Sequence, residues 1–128
     1  MKPYAFATRR RSRWTALSDG AAALARRPLT EAELRARLVE RGHAAEEVEE
    51  AIADLARRGA LDDRELARHW CVVRAERRGH GPLRLLRDLA ARGVRPEVAR
   101  AALDEAIEDG TLDPAATLRR ATERRMRT

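Results

Sequence analysis

The stretches RGALDD at residues 58–63 and DGTLDP at 109–114 carry one phrase twice, 51 positions apart. Sliding the chain by 51 residues without a gap sets Leu34 on Leu85, Leu38 on Leu89 and Arg41-Gly42 on Arg92-Gly93. It also sets Glu46 on Glu97, Ala51 on Ala102, Ile52 on Leu103, Gly59 on Gly110 and Leu61-Asp62 on Leu112-Asp113. Arg26-Arg27 falls on Arg77-Arg78 in the same register. Self-similarity at a fixed period of this size marks an array of like modules, and the repeated phrase marks the module boundary.

Helix stop and start signals divide each module. Thr30 with Glu33 fits a capping box, Leu34 and Leu38 an apolar face, and Gly42 the left-handed residue that closes a helix. A second helix runs from about Ala44, with Val48, Ile52 and Leu55 on one face, and stops at Gly59. Asp62, helped by Glu65, opens a longer helix with Leu66, Trp70 and Val73 on one stripe, ended by Gly79. Pro82, behind Gly81, stands at the first turn of the next helix, a position proline favours. Leu85 and Leu89 form its apolar face and Gly93 closes it. Pro96 opens a helix with Ala99, Ala102, Leu103 and Ile107, and Asp113-Pro114 opens the last. With a first helix from roughly Asp19 to Arg27, the count is three helices per module. The expected organisation is a basic N-terminal segment at 1–18, a candidate for disorder, a first three-helix module at 19–61 and a second at 62–112. Residues 113–128 then hold the first helix of an incomplete third module with a basic end.

Composition fixes the fold class as all-α: 26 Ala and 15 Leu stand against six Val, two Ile and four aromatics. No apolar run approaches the roughly 18 residues of a membrane span, and the N-terminus lacks the apolar core of a secretion signal. No membrane role is expected. The one cysteine, Cys71, forms no internal disulfide and suits a reducing, cytoplasmic location.

The net charge of +6 is unevenly spread. Residues 1–14 carry +5 and residues 115–128 carry +4, while the body between them carries −3. Inside the body, residues 28–63 carry −5, residues 64–95 carry +6 and residues 96–113 carry −5. Such blocks steer a protein toward a polyanion or an oppositely patterned protein surface, and they are equally compatible with solvated helix faces.

Catalytic chemistry is not legible. His43 and His80 fall at turns beside glycines, and His69 and Cys71 point to different faces of one helix, so they cannot share a metal. Acidic pairs such as Asp62-Asp63 and Glu46-Glu47 stand at helix starts, where capping accounts for them. No phosphate-cradling glycine loop and no nucleophile–base set is present, so neither an enzyme, a cofactor, a metal nor a small-molecule substrate is expected. Cys71 beside Trp70 reads as a small core residue. Tyr4, Phe6 and Trp14 lie in an unpatterned segment, which makes a base-stacking groove a weak reading. Binding remains. Arg74, Arg77, Arg78, Arg84, Arg87 and Arg92 in the body, with Arg119, Arg120, Arg124 and Arg125 at the end, are the candidates for contact with a partner or DNA phosphates.

These residues resemble the RecX regulatory proteins, which modulate bacterial RecA recombinase. The likeness rests on Ala23-Leu24, Arg26-Arg27-Pro28, Glu31, Glu33-Leu34, Leu38 and Arg41-Gly42. It continues through Val48, Ala51-Ile52, Leu55, Gly59 and Leu61-Asp62-Asp63. In the second module it takes in Ala67-Arg68, Arg74, Gly79, Gly81-Pro82, Leu85, Leu89, Arg92-Gly93, Ala102-Leu103 and Gly110. About residues 19 to 125 are covered, by caps and core positions in a specific order. The resemblance implies tandem three-helix modules stacked into an elongated right-handed helical array. It also implies binding along RecA filaments, with lowered ATPase, strand-exchange and co-protease activity, in recombination, DNA repair and the SOS response. It brings no catalytic residue or cofactor. Two departures stand out: the third module's two further helices have no counterpart after Arg127, and Leu66 replaces a common aromatic. Single-stranded DNA is a further expected partner through the basic patches. The competing expectation is a small helix-turn-helix-like protein that binds DNA without a recombinase. The −5 charge of residues 28–63 opposes it, because a recognition helix faces phosphates.

Overall fold

A computed structural model describes residues 12–127. The expectation of a disordered N-terminal segment therefore lies outside the described residues up to position 11. Among the described residues there are seven helices: α1 (Ala16–Arg26), α2 (Glu31–Glu40), α3 (Ala45–Arg57), α4 (Asp63–Arg78), α5 (Pro82–Ala91), α6 (Pro96–Glu108) and α7 (Pro114–Arg127). The chain divides into two compact units, with the division between Asp62 and Asp63. The 51-residue register is realised to the residue. Helices α2 and α5 are ten residues each, from Glu31 and Pro82, and α3 and α6 are thirteen each, from Ala45 and Pro96.

In the first unit, α1 starts at Ala16, three residues before the expected Asp19. Thr15 lies ahead of it in extended conformation, and its hydroxyl accepts from the Ser18 amide. A short polar residue in that position satisfies a backbone donor that no helical carbonyl can reach. The strongest N-terminal signal is at α2. Thr30 accepts from the Glu33 amide at 3.0 Å while Glu33 returns a bond from the Thr30 amide at 2.9 Å. Gly42, at φ 90°, closes α2: its amide reaches Val39 O and the His43 amide reaches Leu38 O. A left-handed residue is required there, and only glycine adopts it without steric cost. The core gathers Leu29, Leu34, Leu38, Val48, Ile52, Leu55 and Leu61, with Ala16 and Ala23 from α1. A Cβ placed on Gly20 would come within 2.8 Å of Leu55 Cδ1, so α1 lies close on α3.

The second unit repeats this plan with smaller residues. Leu85 and Leu89 take the places of Leu34 and Leu38, all four fully buried. Val94, following the left-handed Gly93, bonds back to Leu89 O as His43 does to Leu38 O. Helix α4 buries Ala67, Cys71 and Ala75, and it faces Ala99, Ala102, Leu103 and Ala106 of α6. This corrects the expected stripe of Leu66, Trp70 and Val73. Those side chains are half-buried, and the small residues at 67, 71 and 75 form the seam. Small side chains let two helix backbones approach closely, so bulk is not what marks this seam. Helix α7 packs on α4, with Thr117 buried and Ala121 about 3.3 Å from where a Gly79 Cβ would lie. No helix among the described residues is long and apolar enough to cross a membrane.

Candidate functional site

Charge on α4 separates along its length. In the N-terminal half, Arg64 bonds to Glu105, with Nε at 2.6 Å, and Arg68 pairs with Asp109. The Thr111 hydroxyl and then Arg68 hold the Asp109 carboxyl low, at about 2. These two arginines are committed to α6. The C-terminal half holds Arg74, Arg77 and Arg78, near α5 with Arg84 and Arg87 and α7 with Arg119, Arg120, Arg124 and Arg125.

Two focal points organise this basic end. The first is Trp70, over whose ring lie the guanidinium of Arg74 at 4.0 Å and that of Arg92 at 5.1 Å. Cations placed over an indole face are attracted by its quadrupole. Trp70 is therefore half-buried under two arginines, whereas the sequence placed it in the core. The second is His80, in the loop between α4 and α5. Burial pushes its pKa below the ordinary histidine range, Arg84 pushes it further, Asp88 opposes, and Arg74 and Arg78 add to the fall. Three arginines from two helices thus act on one imidazole. His80 is half-buried, its Nδ1 has no hydrogen-bond partner among the described residues, and Asp88 lies at 3.8 Å.

The ten sequence candidates therefore fall into distinct environments. Arg77, Arg78, Arg84, Arg87 and Arg119 are exposed and have no carboxylate partner among the described residues. Arg74 and Arg92 are half-buried and stacked on Trp70, so their charge is partly spent inside the unit. Arg124 donates to the Arg77 carbonyl at the C-terminus of α4, where the helix dipole favours a cation. Arg120 turns inward with a buried Nε that has no partner among the described residues, and Arg125 is exposed.

The first unit carries two features that sequence reasoning missed. Asp19, buried, accepts from His43 Nε2 at 2.6 Å and Arg41 Nε at 3.2 Å. Burial raises its carboxyl pKa, but hydrogen bonds from Ser12, His43 and Arg41 outweigh it and hold it below the usual carboxylate range. This is a structural clasp joining α1 to the end of α2. Trp14, 64% exposed, borders a shallow depression of about 930 Å³ with Arg13, Arg27, Arg37 and Arg41 on its lining and Glu33 and Glu40 beside them. Local spacing carries no signal for either, because each joins residues some 20 positions apart.

The comparisons with known proteins agree with this architecture. The model of the RecX first three-helix domain matches residues 16–55, and that of the RecX second three-helix domain matches residues 62–103. The chain is 39% identical over 102 residues to the regulatory protein RecX of Halorhodospira halophila, which covers 80% of this chain and 60% of that protein. It is 43% identical over 97 residues to the regulatory protein RecX of Thermus thermophilus, covering 76% and 64%. The chain thus spans about three fifths of the length of the curated relatives it matches. The crystal structure of RecX from Lactobacillus salivarius shares the fold, with a TM-score of 0.65 at 20% identity over 71% of this chain and 62% of that one. Two domain models in the right order and relatives at this identity make the chain a member of the RecX family of regulatory proteins.

Proposed function

We propose that the protein is a non-enzymatic regulator that binds RecA recombinase filaments and lowers their ATPase, strand-exchange and co-protease activity in the cytoplasm, within recombination, DNA repair and the SOS response. Family membership supports this choice of partner. The observation that carries the contact surface is the group of exposed arginines at the end of α4 and on α5 without a carboxylate partner among the described residues: Arg77, Arg78, Arg84 and Arg87. They supply exposed positive charge beside Arg74 and Arg92, which lie over the Trp70 ring. Exposed ion pairs are individually worth under about 1 kcal/mol, so the face acts through number and through steering at distance. Single-stranded DNA within the filament is a second anion that this face can meet.

The test is the single-strand-dependent ATPase rate of a bacterial RecA with the protein titrated in. Inhibition is expected, and the double reversal of Arg77 and Arg78 to Glu is expected to demand a higher concentration for the same effect. Equal inhibition by the wild type and the double variant would remove this face from the interface. Tight duplex binding without recombinase, lost in the same variant, would favour a self-sufficient DNA-binding protein instead.

A further inference from the structure

In the sequence Trp14 stands in an unpatterned segment, but the fold of the first unit fixes its place. The Ser12 amide donates to the Arg41 carbonyl at 3.1 Å, and the Trp14 amide donates to the Ser12 hydroxyl at 3.2 Å. The Ser12 side chain also bonds to the buried Asp19 carboxylate. The bend that carries Trp14 is thereby tied to the end of α2 and to the clasp between α1 and α2. Its indole is nevertheless 64% exposed at the edge of the depression of about 930 Å³. A rigid aromatic on an anchored backbone gives up little freedom when a flat partner lies against it.

Four arginines line the same depression: Arg13, Arg27, Arg37 and Arg41. Arg13 and Arg27 are exposed and Arg37 is half-buried, and these three have no carboxylate partner among the described residues. Arg41 is shared with Asp19. Two glutamates stand against the four, and one of them, Glu33, bonds to the Thr30 amide in the cap of α2. The combination is not a by-product of the repeat, because the positions 51 residues on from Trp14 and Arg37 are Glu65 and Asp88. Cations around an open aromatic platform match the two halves of a nucleotide, a base that stacks and a phosphate that meets a guanidinium. We infer that the Trp14 depression is a binding site for a single-stranded nucleic acid, with one base stacked on the indole and the flanking phosphates met by Arg13, Arg27 and Arg37. The depression is shallow, so a strand can run through it, whereas a duplex hides its base faces within the stack. An acidic peptide meets the guanidiniums through carboxylates alone and makes no use of the indole. The sequence ahead of Ser12 includes Lys2, Arg9, Arg10 and Arg11, of the same sign as the depression, and like charge opposes it as the occupant. The inference rests on the first unit and not on the recombinase reading.

The probe is an oligothymidylate of about 12 nucleotides, within the usual span of a single-strand site, added to the full chain with no recombinase present. Saturable binding by anisotropy of the labelled strand is expected, with quenching of tryptophan emission by the unlabelled one. Trp14→Ala, an exposed substitution whose folding is checked by circular dichroism, is expected to weaken binding about tenfold, as loss of one stacked base does. It is also expected to remove the quench, because Trp70 is half-buried under Arg74 and Arg92. Trp14→Phe is expected to restore most of the affinity, a rescue that charge alone does not produce. Arg27→Gln and Arg37→Gln are each expected to lower the slope of log affinity against log salt by about 0.7. The double reversal of Arg77 and Arg78 to Glu is expected to leave the quench in place, so this inference and the recombinase reading fail separately. No saturable binding at low salt, or equal binding by Trp14→Ala and the wild type, overturns the inference. Quenching by thymidine 5′-monophosphate at the same concentration as the strand would assign the site to a free nucleotide, and displacement of the strand by polyglutamate at equal charge would assign it to an acidic peptide. Either result overturns the strand as occupant.

Discussion

At the scale of single residues, the environment decides what each chemical group does. Cys71 is fully buried between helices, and burial pushes its thiol up to about 11. A thiol that stays protonated and has no access to solvent does not act as a nucleophile. Modification by a water-soluble disulfide reagent at pH 8 is therefore expected to be slow in the folded protein and to become rapid in denaturant. Fast labelling of the native protein would contradict the packing of α4 on α6. Asp19 makes the opposite case, a buried carboxylate kept ionised by its partners. Its folded pKa lies below the unfolded value of about 3.9. The stabilisation it gives is thus complete above that value and is lost as the pH falls through the lower, folded one. Replacing Asp19 with Asn is expected to lower stability at neutral pH and to flatten the acid limb of the thermal melting profile. An unchanged acid limb would place the acid sensitivity elsewhere.

At the scale of helices, caps and seams act differently in the two units. Helix α2 is closed at its start by a reciprocal side-chain cap, whereas α3, α5 and α6 have none. Thr30 is fully buried as well, so Thr30→Ala removes a hydrogen bond from a site that water cannot fill. A destabilisation of about 1 kcal/mol, up to about 2, is expected in chemical denaturation. The seam between α4 and α6 fails in the other direction. Enlarging Ala67 to Leu inserts volume into a close approach, and a loss of about 1–3 kcal/mol is expected from overpacking. A neutral result in the same denaturation experiment would show that α4 can shift away from α6 at little cost.

At the scale of the whole molecule, the proposed association is expected to depend on summed charge rather than on any one contact. The basic end of α7 is expected to strengthen filament binding in a salt-dependent way. Deleting residues 115–128 would also uncover Gly79 and the flank of α4, because α7 packs there. Replacing Arg119, Arg124 and Arg125 by Gln keeps the length of the helix and removes three charges, together with the Arg124 bond to the Arg77 carbonyl. Each arginine that contacts phosphate is expected to contribute about one unit to the slope of log affinity against log salt. A slope unchanged in the triple variant would leave α7 outside the electrostatic interface.

The helical class, the positions of most helix ends and the 51-residue register are properties of local sequence. Alanine and leucine content, a capping box at Thr30 and glycines at the left-handed positions act over a few residues. Local propensity therefore sufficed to place α2, α3, α5 and α6 with their buried leucines. Tertiary structure decided what local spacing does not encode. It chose Ala67, Cys71 and Ala75 over Leu66, Trp70 and Val73 as the seam, because close approach to α6 rewards small volume over hydrophobicity. It joined Asp19 to Arg41 and His43, committed Arg64 and Arg68 to α6, and drew Arg74 and Arg92 over Trp70. It left Leu118 and Met126 in solvent at positions whose counterparts on α4 are buried. An arginine in the sequence is only a charge with a long stem. Which of them is held within its unit and which is exposed to a partner depends on what the fold brings within about 4 Å, and that distance is set by packing between residues far apart in the chain.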